Sequence, residues 1–254
     1  MDKEAILSLI GKNSGESITI ETLESYGLGG VDCPVCENRG YVIVKNENGI
    51  LVTRECSCMN ERRSMRALRT SGMADMVSRY TFDNYQTPDR ERQELKQAAQ
   101  DFCANDTGWF YIAGKSGSGK THLCTAICAE LIRRGKRTHY MLWRDESVKL
   151  KGGVNDRDWY EKETKKLKTV PVLYIDDFWK SRRTDDQVRV TDADVNLAFE
   201  ILNTRYNDSS LRTIISTEMS LPEVLDIDEA TGGRIYERAK GFVKKAPGEN
   251  WRLR

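Results

Sequence analysis

The sequence predicts an α/β protein in which a parallel β-sheet carries helices on both faces and is preceded by a small cysteine-rich module. From Phe82 onward, short apolar strand-like segments alternate with segments of helical periodicity, which is typical of a parallel sheet covered on both faces. Before them, four cysteines stand in two close pairs around a predicted hairpin. We therefore expect two domains, residues 1–70 and residues 71–254.

The composition is that of a folded protein without a strong overall charge. The 254 residues include 40 Lys and Arg against 39 Asp and Glu, which gives a formal net charge of +1. Any contact with nucleic acid or anionic lipid must therefore come from a local patch. No segment approaches the roughly 18 apolar residues of a membrane helix, and the first residues lack the pattern of a signal peptide. We expect a cytoplasmic protein with no membrane partner.

The amino-terminal domain is predicted to contain a helix, a hairpin and a linker. Residues 5–10 have helical periodicity, and three glycines at 27–30 end the pattern. The segments YVIVK and ILVTRECSC, joined by a turn at ENG, predict a β-hairpin between the cysteine pairs. Residues 59–80 are polar and basic, and we interpret them as the linker.

The clustered cysteines predict a structural zinc site. Two tight loops joined by the hairpin supply four thiolates, which suits tetrahedral Zn²⁺ and leaves no open position for catalysis. A disulfide or free thiols are the alternatives. The predicted ligands are Cys33, Cys36, Cys56 and Cys58. The remaining cysteines lie in helical sequence and are interpreted as buried hydrophobic residues: Cys103, Cys124 and Cys128.

The second domain is predicted to have four strands with helices between them. The strands are WFYIA, THYML, PVLYIDD and RTIIST. Helices are expected near 89–105, from 121 and near 193–206, with a charged helical block after THYML. RRGKR at 133–137 is interpreted as a helix end, with Gly135 as the stop.

A phosphate-binding loop is predicted directly after the strand WFYIA. Residues 114–121 read GKSGSGKT, which fits G-x-x-x-x-G-K-[ST], and they open a helix. The glycines would let backbone N–H groups face a phosphate, Lys120 would reach the β- and γ-phosphates of ATP, and Thr121 would ligate Mg²⁺. A glycine-rich turn without nucleotide is the alternative. The predicted nucleotide contacts are Gly114, Lys115, Ser116, Gly117, Ser118, Gly119, Lys120, Thr121 and His122.

Two carboxylates at the end of a later strand complete the predicted catalytic pair. The segment VLYIDDF at 172–178 is apolar until Asp176 and Asp177. Asp176 would hold Mg²⁺ together with Thr121, and Asp177 would orient and polarise the attacking water. The alternative is an exposed pair of aspartates at a strand end.

Several segments together resemble one protein family. GKSGSGKT, the Asp-Asp pair, ILNTRYNDSSLRTIISTE and GGRIYERAKG are similar to the DnaC/DnaI helicase-loader branch of the AAA+ ATPases, whose nearest cousin is the IstB transposition helper. The resemblance covers residues 75–254, and the cysteine segment resembles the amino-terminal module of the same group. It implies ATP hydrolysis, self-association through the ATPase domain, and docking of a hexameric replicative DNA helicase through the amino-terminal module for deposition on single-stranded DNA.

The resemblance also implies a residue that senses the γ-phosphate at the end of the strand TIISTE. The usual Asn is missing there, and the candidates are Ser216, Thr217 and Glu218. We expect Thr217 to take this role. The short chain and this atypical strand favour a phage-encoded protein.

Two arginine positions follow from the resemblance in the same way. Arg234 and Arg238 lie four residues apart on one helical face, and either is expected to reach the ATP of a neighbouring subunit. Arg252 is expected to act on the nucleotide of its own subunit, with Arg254 as the alternative. A surface or salt-bridged arginine is the alternative for each.

Two segments are candidates for nucleic-acid contact. If residues 62–69 are helical, their arginines form one basic stripe: Arg62, Arg63, Arg66 and Arg69. Lysines between Lys149 and Lys168 surround Trp159 and Tyr160, a combination suited to phosphate contact and base stacking. A solvated face and a partly buried aromatic anchor are the respective alternatives.

Three other functions stay open at this point. An IstB-like transposition helper is one, although that cousin lacks a comparable zinc domain. An ATP-dependent protein adaptor without a DNA role is the second. A metabolic kinase is the third, and the segment GGRIYER counts against it, because a small-molecule kinase needs no arginine from a second subunit.

Overall fold

The computed structural model describes residues 33–63, 74–180, 190–248 and 250. These residues form a two-stranded antiparallel sheet and a separate five-stranded sheet whose paired strands are parallel. The α/β fold class and the parallel sheet are therefore confirmed. The boundary expected at residue 70, the helix expected at residues 5–10, and Arg66 and Arg69 lie outside the described residues.

The hairpin of the cysteine module has the expected strands. β1 spans Tyr41–Lys45 and β2 spans Leu51–Glu55, with Tyr41 opposite Glu55 and Lys45 opposite Leu51. The turn is closed by Asn46, whose Oδ1 accepts from the backbone N–H of Ile50 at 2.9 Å. The chain becomes helical at residues 58–63, directly after the second cysteine pair.

The larger domain alternates helices and strands. Its helices are α1 Ala74–Arg79, α2 Arg90–Ala104, α3 Lys120–Arg133, α4 Trp143–Gly152, α5 Arg157–Thr169, α6 Asp192–Asn207, α7 Leu221–Ile227 and α8 Glu229–Arg238. Its strands are β3 Trp109–Ala113, β4 Thr138–Leu142, β5 Val172–Asp176, β6 Arg212–Thr217 and β7 Val243–Lys245. The order across the sheet is β4-β5-β6-β3-β7. Only β6 therefore separates β3, which precedes the phosphate-binding loop, from β5, which ends at the Asp-Asp pair.

Each face of the sheet has its own hydrophobic core because side chains alternate along a strand. Phe110 and Ile112 of β3 pack in the core formed with α2 and α3, whereas Trp109 and Tyr111 pack in the core formed with α6 and α8. β5 alternates in the same way. The sheet is therefore buried on both faces, and the ends of its strands are rigidly placed.

A buried arginine aligns β6 with its neighbours. The side chain of Arg205 is fully buried, and its Nε donates to Thr213 Oγ1 at 2.9 Å. Its Nη1 donates to the carbonyls of Leu167 and Val170 at 2.9 and 2.8 Å, and its Nη2 donates to the carbonyl of Arg212 at 2.6 Å. These bonds tie the end of α5 to the start of β6 and satisfy backbone groups that have no partner in a helix or strand.

The structure corrects three expectations about secondary structure. Residues 59–80 are not a linker throughout, because residues 58–63 and α1 are helical. The charged block after β4 is two helices, α4 and α5. The ring of Trp159 in α5 packs against Gly153 between them, in the space that a side chain at this glycine would need. The sequence also did not predict β7 or α7. Among the residues that the structure describes, no helix combines the length and apolar character needed to span a bilayer.

Candidate functional site

The loop at residues 114–119 joins β3 to α3 in a conformation that depends on glycine. Gly117 and Gly119 have φ of 76° and 91°, values that residues with a side chain rarely adopt. A side chain at Gly114 would lie 2.9 Å from the Cβ of Ala246. Gly119 caps α3 without a side-chain hydrogen bond, so the first N–H groups of the helix are directed at the loop and suit an anion.

Lys120 is held across this loop. Its side chain is buried, and Nζ donates to the carbonyls of Gly114 and Lys115 at 2.6 and 2.9 Å. Burial lowers the pKa of the Lys120 ammonium, while the carboxylates of Glu218 and Asp177 act to raise it. A phosphate group in the loop would replace the carbonyls as the partner of this ammonium.

Asp176 is the centre of a buried polar cluster at the end of β5. Its carboxylate accepts hydrogen bonds from the hydroxyls of Tyr140 at 3.2 Å and Thr121 at 3.5 Å. Ser216 donates a further hydrogen bond. The structure therefore brings Thr121 and Asp176 together, as a shared Mg²⁺ site requires, and they present the oxygen ligands that this ion prefers.

Asp177 follows in a strained turn. Its φ is 52°, and the φ of Trp179 is 56°, both unusual for residues other than glycine. Lys180 bridges two carboxylates from this edge of the sheet, with Nζ 3.3 Å from Asp177 Oδ1 and 2.8 Å from Glu218 Oε1. Strained backbone that is held by its surroundings is found preferentially at functional sites. Neither Lys180 nor the pairing with Glu218 was expected from the sequence.

The three sensor candidates at the end of β6 have different orientations. Thr217 is fully buried, donates to the carbonyl of Phe178 at 2.8 Å and accepts from the N–H of Met219 at 3.1 Å. Its hydroxyl is thus engaged with backbone of its own chain, which argues against the expected sensor role. Ser216 contacts Asp176, and Glu218 is the leading charged group that acts on Lys120. Ser216 and Thr217 are adjacent in β6 and therefore point to opposite faces of the sheet, and Glu218 follows the end of the strand.

His122 contacts a segment that the sequence analysis missed. Its Nε2 lies 3.1 Å from the carbonyl of Thr81 and 3.0 Å from Asn84 Oδ1, and its ring packs against Tyr80 and Tyr85. Burial lowers the pKa of His122 and favours the neutral imidazole. The aromatic residues of the segment TFDNY, just before α2, were the available signal.

Tyr85 brings this segment to the phosphate loop. Its ring lies 3.5 Å from the position that a Cβ on Gly119 would occupy. Its hydroxyl is buried, and no hydrogen-bond partner for it is found in the described part of the chain. A buried hydroxyl without a hydrogen bond lowers the stability of the fold, unless a ligand or a water molecule forms that hydrogen bond.

The carboxyl-terminal segment crosses the other side of the loop. The N–H of Ala246 donates to the carbonyl of Ala113 at 2.7 Å. The side chain of Asn250 lies against Gly117, because a Cβ there would be 1.9 Å from Asn250 Oδ1. This path places Asn250 against the phosphate loop. Arg252 and Arg254 lie outside the described residues, so their expected roles stay predictions.

The two candidate arginines for a neighbouring subunit are in different environments. The guanidinium of Arg238 donates to four backbone carbonyls, which belong to Tyr206, Asp208, Ser209 and Leu211. It therefore closes the carboxyl-terminal end of α6 within its own chain. Arg234 is partly exposed, donates to Asn203 and lies over the ring of Phe199. Both arginines thus have partners within their own chain, and the expectation that either reaches a neighbouring subunit stays a prediction.

The four cysteine sulfurs form one cluster. All four lie within 4.8 Å of one another, and none is in a disulfide. The Cys33–Cys56 and Cys36–Cys58 sulfurs are 3.8 and 3.5 Å apart, close to the roughly 3.8 Å edge of a tetrahedron of sulfurs about 2.3 Å from zinc. The N–H of Gly40 also donates to Cys36 Sγ at 3.4 Å, a bond that stabilises a thiolate. These residues fit Zn²⁺. The other three cysteines are buried in the larger domain, as expected.

A family model described as IstB-like ATP binding protein matches residues 41–229. The chain belongs to this IstB/DnaC family of AAA+ ATPases. The match includes the phosphate loop and the Asp-Asp pair. It excludes α8 beyond Glu229, so the family assignment does not bear on Arg234 or Arg238.

Two curated relatives are similar over most of this chain, and a third is similar over about half of it. The uncharacterized protein YqaM of Bacillus subtilis is 27% identical, over 87% of this chain and 84% of its own length. The phage-like element PBSX protein XkdC of the same species is 29% identical, over 87% of this chain and 85% of its own, which agrees with the expected phage association. The replicative helicase loader DnaC of Escherichia coli is 29% identical, but over only 49% of this chain and 54% of its own.

Solved structures share the family fold. The DnaC helicase loader has a TM-score of 0.55 and 21% identity over 68% of this chain and 98% of that chain. The replication initiator DnaA bound to AMPPCP and single-stranded DNA has a TM-score of 0.54 and 19% identity over 67% of this chain and 50% of that chain. These similarities support the AAA+ fold of the larger domain.

Proposed function

We propose that this ATPase loads a hexameric replicative DNA helicase onto single-stranded DNA. The observation that carries the proposal is the joint presence of an assembled phosphate site and a separate cysteine module in a family that includes DnaC. One part would switch with ATP, and the other would hold the partner. The domain division at residue 70 is part of this proposal.

The phosphate site supports ATP hydrolysis by residues in distinct roles. Lys120 would bind the β- and γ-phosphates, and Thr121 with Asp176 would hold Mg²⁺, which neutralises the developing charge on the phosphates. Asp177 would orient the attacking water, since its carboxylate lies at the edge of the sheet beside Lys180. Glu218 pairs with the same lysine and replaces Thr217 as our choice for the residue that senses the γ-phosphate.

Arg234 is our choice for the arginine that completes a neighbouring site. It is partly exposed on α8, and its own-chain contacts are one amide oxygen, one carbonyl and two aromatic rings. Arg238 is bound to four carbonyls and would have to leave an α6 end that it stabilises. Self-association through the ATPase domain would place Arg234 against the ATP of the next subunit.

Mixing two inactive variants tests this shared site. Arg234→Ala is expected to lower ATP turnover by about 10³-fold, the usual contribution of such an arginine. A mixture with Lys120→Ala should regain activity, because each variant supplies what the other lacks. Arg157→Ala is the matched control, since Arg157 is also a helical surface arginine paired within its chain. Unchanged turnover in Arg234→Ala, or no recovery on mixing, would argue against a shared site.

The cysteine module offers an apolar surface for the partner. Five large apolar side chains of the module are exposed, led by Val35 and Ile50 at 70% and 60%. The others are Ile43, Leu51 and Val52. Leu51 and Val52 are consecutive in β2 and point to opposite faces of the hairpin, so the exposed apolar side chains are divided between its two faces. A partner that holds the hairpin would cover them. We take the helicase as that protein because of the relation to DnaC.

Binding of the helicase should depend on this surface. Ile50→Asp is expected to weaken the complex about 30-fold, the effect of losing one central apolar contact. Val154→Asp is the control, since Val154 is 56% exposed on the larger domain. Calorimetric titration of each variant with the helicase measures the difference. Equal affinities for both variants would exclude the hairpin as the docking surface.

Two adjoining clefts beside edge strand β4 supply candidate contacts for single-stranded DNA. One, of 330 Å³, includes Arg63, Arg137 and Lys166, and the other, of 220 Å³, includes Lys149, Trp159 and Lys166. Trp159 is 37% exposed and available for stacking. Of the arginines expected to form a basic stripe after the last cysteine, Arg62 is buried in the module and Arg63 pairs with Glu55. Arg66 and Arg69 lie outside the described residues, so the stripe stays a prediction.

A further inference from the structure

Arg62 is an unusual residue for a module of this size because its side chain is 4% exposed. It lies four residues after Cys58 in the helical segment 58–63, so the two side chains share one face. A guanidinium stays charged in proteins, and burying it is costly unless hydrogen bonds and negative charge surround it. A buried arginine at this position must therefore be held by specific partners.

Arg62 connects the two cysteine pairs. Its Nη2 donates to Asn38 Oδ1 at 2.8 Å, and the same oxygen accepts from the N–H of Cys33 at 2.9 Å. Arg62 therefore joins the helical segment that carries Cys58 to the backbone of Cys33 through Asn38.

The geometry of the cysteine cluster depends on this link. Cys33 and Cys58 belong to different cysteine pairs, and their sulfurs lie within 4.8 Å of each other. A side chain that holds the second pair against the first therefore holds the four sulfurs at the spacing that one metal ion requires.

We propose that Arg62 is a positioning residue of the metal site, which fastens the helical segment 58–63, and with it the ligand Cys58, to the first cysteine loop. Metal occupancy and the docking of this segment are then coupled, because the same side chain serves both. The inference rests on the proposed zinc site and adds to it a residue outside the four ligands.

The test is the rate at which the full chain releases zinc to a chromogenic chelator. Arg62→Gln is expected to release zinc about 10- to 100-fold faster, as for other residues that support metal ligands. Arg62→Lys, which keeps the charge, should be intermediate. Arg63→Gln is the matched control, since the neighbouring Arg63 is exposed and paired with Glu55. Cobalt substitution gives a second readout, because the intensity of the thiolate-to-cobalt absorption reports how many sulfurs remain bound.

The possible failures are distinguishable. Equal rates of zinc release and equal cobalt spectra for Arg62→Gln and Arg63→Gln would overturn the role of Arg62 without contradicting the zinc site. A wild-type chain that binds neither zinc nor cobalt would overturn both. If Arg62→Gln fails to fold, the Arg62→Lys variant decides. Zinc release clearly faster than from Arg63→Gln supports the proposal, and release as slow as from Arg63→Gln contradicts it.

Discussion

Replacement of Lys120 by alanine is expected to lower ATP turnover at least ~100-fold while the protein stays folded. The ammonium lies over the loop on the carbonyls of Gly114 and Lys115, where a phosphate would take their place. Removal of a preorganised cation at the reacting phosphate costs on the order of 10²–10³ in rate. The two hydrophobic cores do not include this side chain.

Phosphate release under saturating ATP measures this effect, and thermal unfolding of the same preparation verifies the fold. Lys162→Ala is the matched control, since Lys162 is exposed on α5. Its turnover should equal that of the wild type. Turnover of Lys120→Ala within a few-fold of the control would mean that the loop does not hold the reacting phosphates.

Replacement of Cys36 by serine is expected to release zinc and abolish helicase binding without loss of basal ATP hydrolysis. Among the described residues of the module, the four cysteines form the buried core, and Val42 and Met59 pack against it. Structural zinc supplies on the order of 10–16 kcal/mol to such small modules. The larger domain has separate cores and should retain its fold and activity.

Metal analysis, calorimetric titration with the helicase and unstimulated ATP turnover measure the three properties. Cys103→Ala is the control, because Cys103 is buried in the core beside α3 and not in the cluster. It should keep its zinc and its partner. Retained zinc in Cys36→Ser would contradict the four-cysteine site, and lost turnover would contradict the two-domain organisation.

The sequence was sufficient to predict those functional elements whose residues are close together in the chain. The phosphate loop, the strand that ends at Asp176 and the two cysteine pairs are local patterns, and the structure places each on the expected element. Strand alternation also predicted the parallel sheet. The roles of these residues stay predictions until they are measured.

Features that depend on distant contacts were not accessible in this way. Lys180 pairs with Glu218 only because β5 and β6 are neighbours in the sheet. Arg238 closes α6 through carbonyls about 30 residues earlier in the chain. The edge strand β7 has only three residues and is partly exposed, so it carries no alternating pattern. Periodicity describes a single element, and these contacts join several.

The orientation of Thr217 shows the same limit within one strand. Ser216 and Thr217 are adjacent polar residues, and only the pairing of β6 between β5 and β3 decides which of them faces Asp176. Spacing alone gave no reason to prefer Ser216 or Glu218.

The central claim is tested most directly by loading of the purified replicative helicase onto circular single-stranded DNA, which offers no free end. The DNA-bound helicase is counted after removal of free protein, with ATP and either the wild-type chain, Lys120→Ala or Ile50→Asp. We expect loading with the wild type and little above background with either variant. Loading that is independent of this protein, or equal for all three forms, would contradict the loader function and leave the transposition helper or the protein adaptor as the better account.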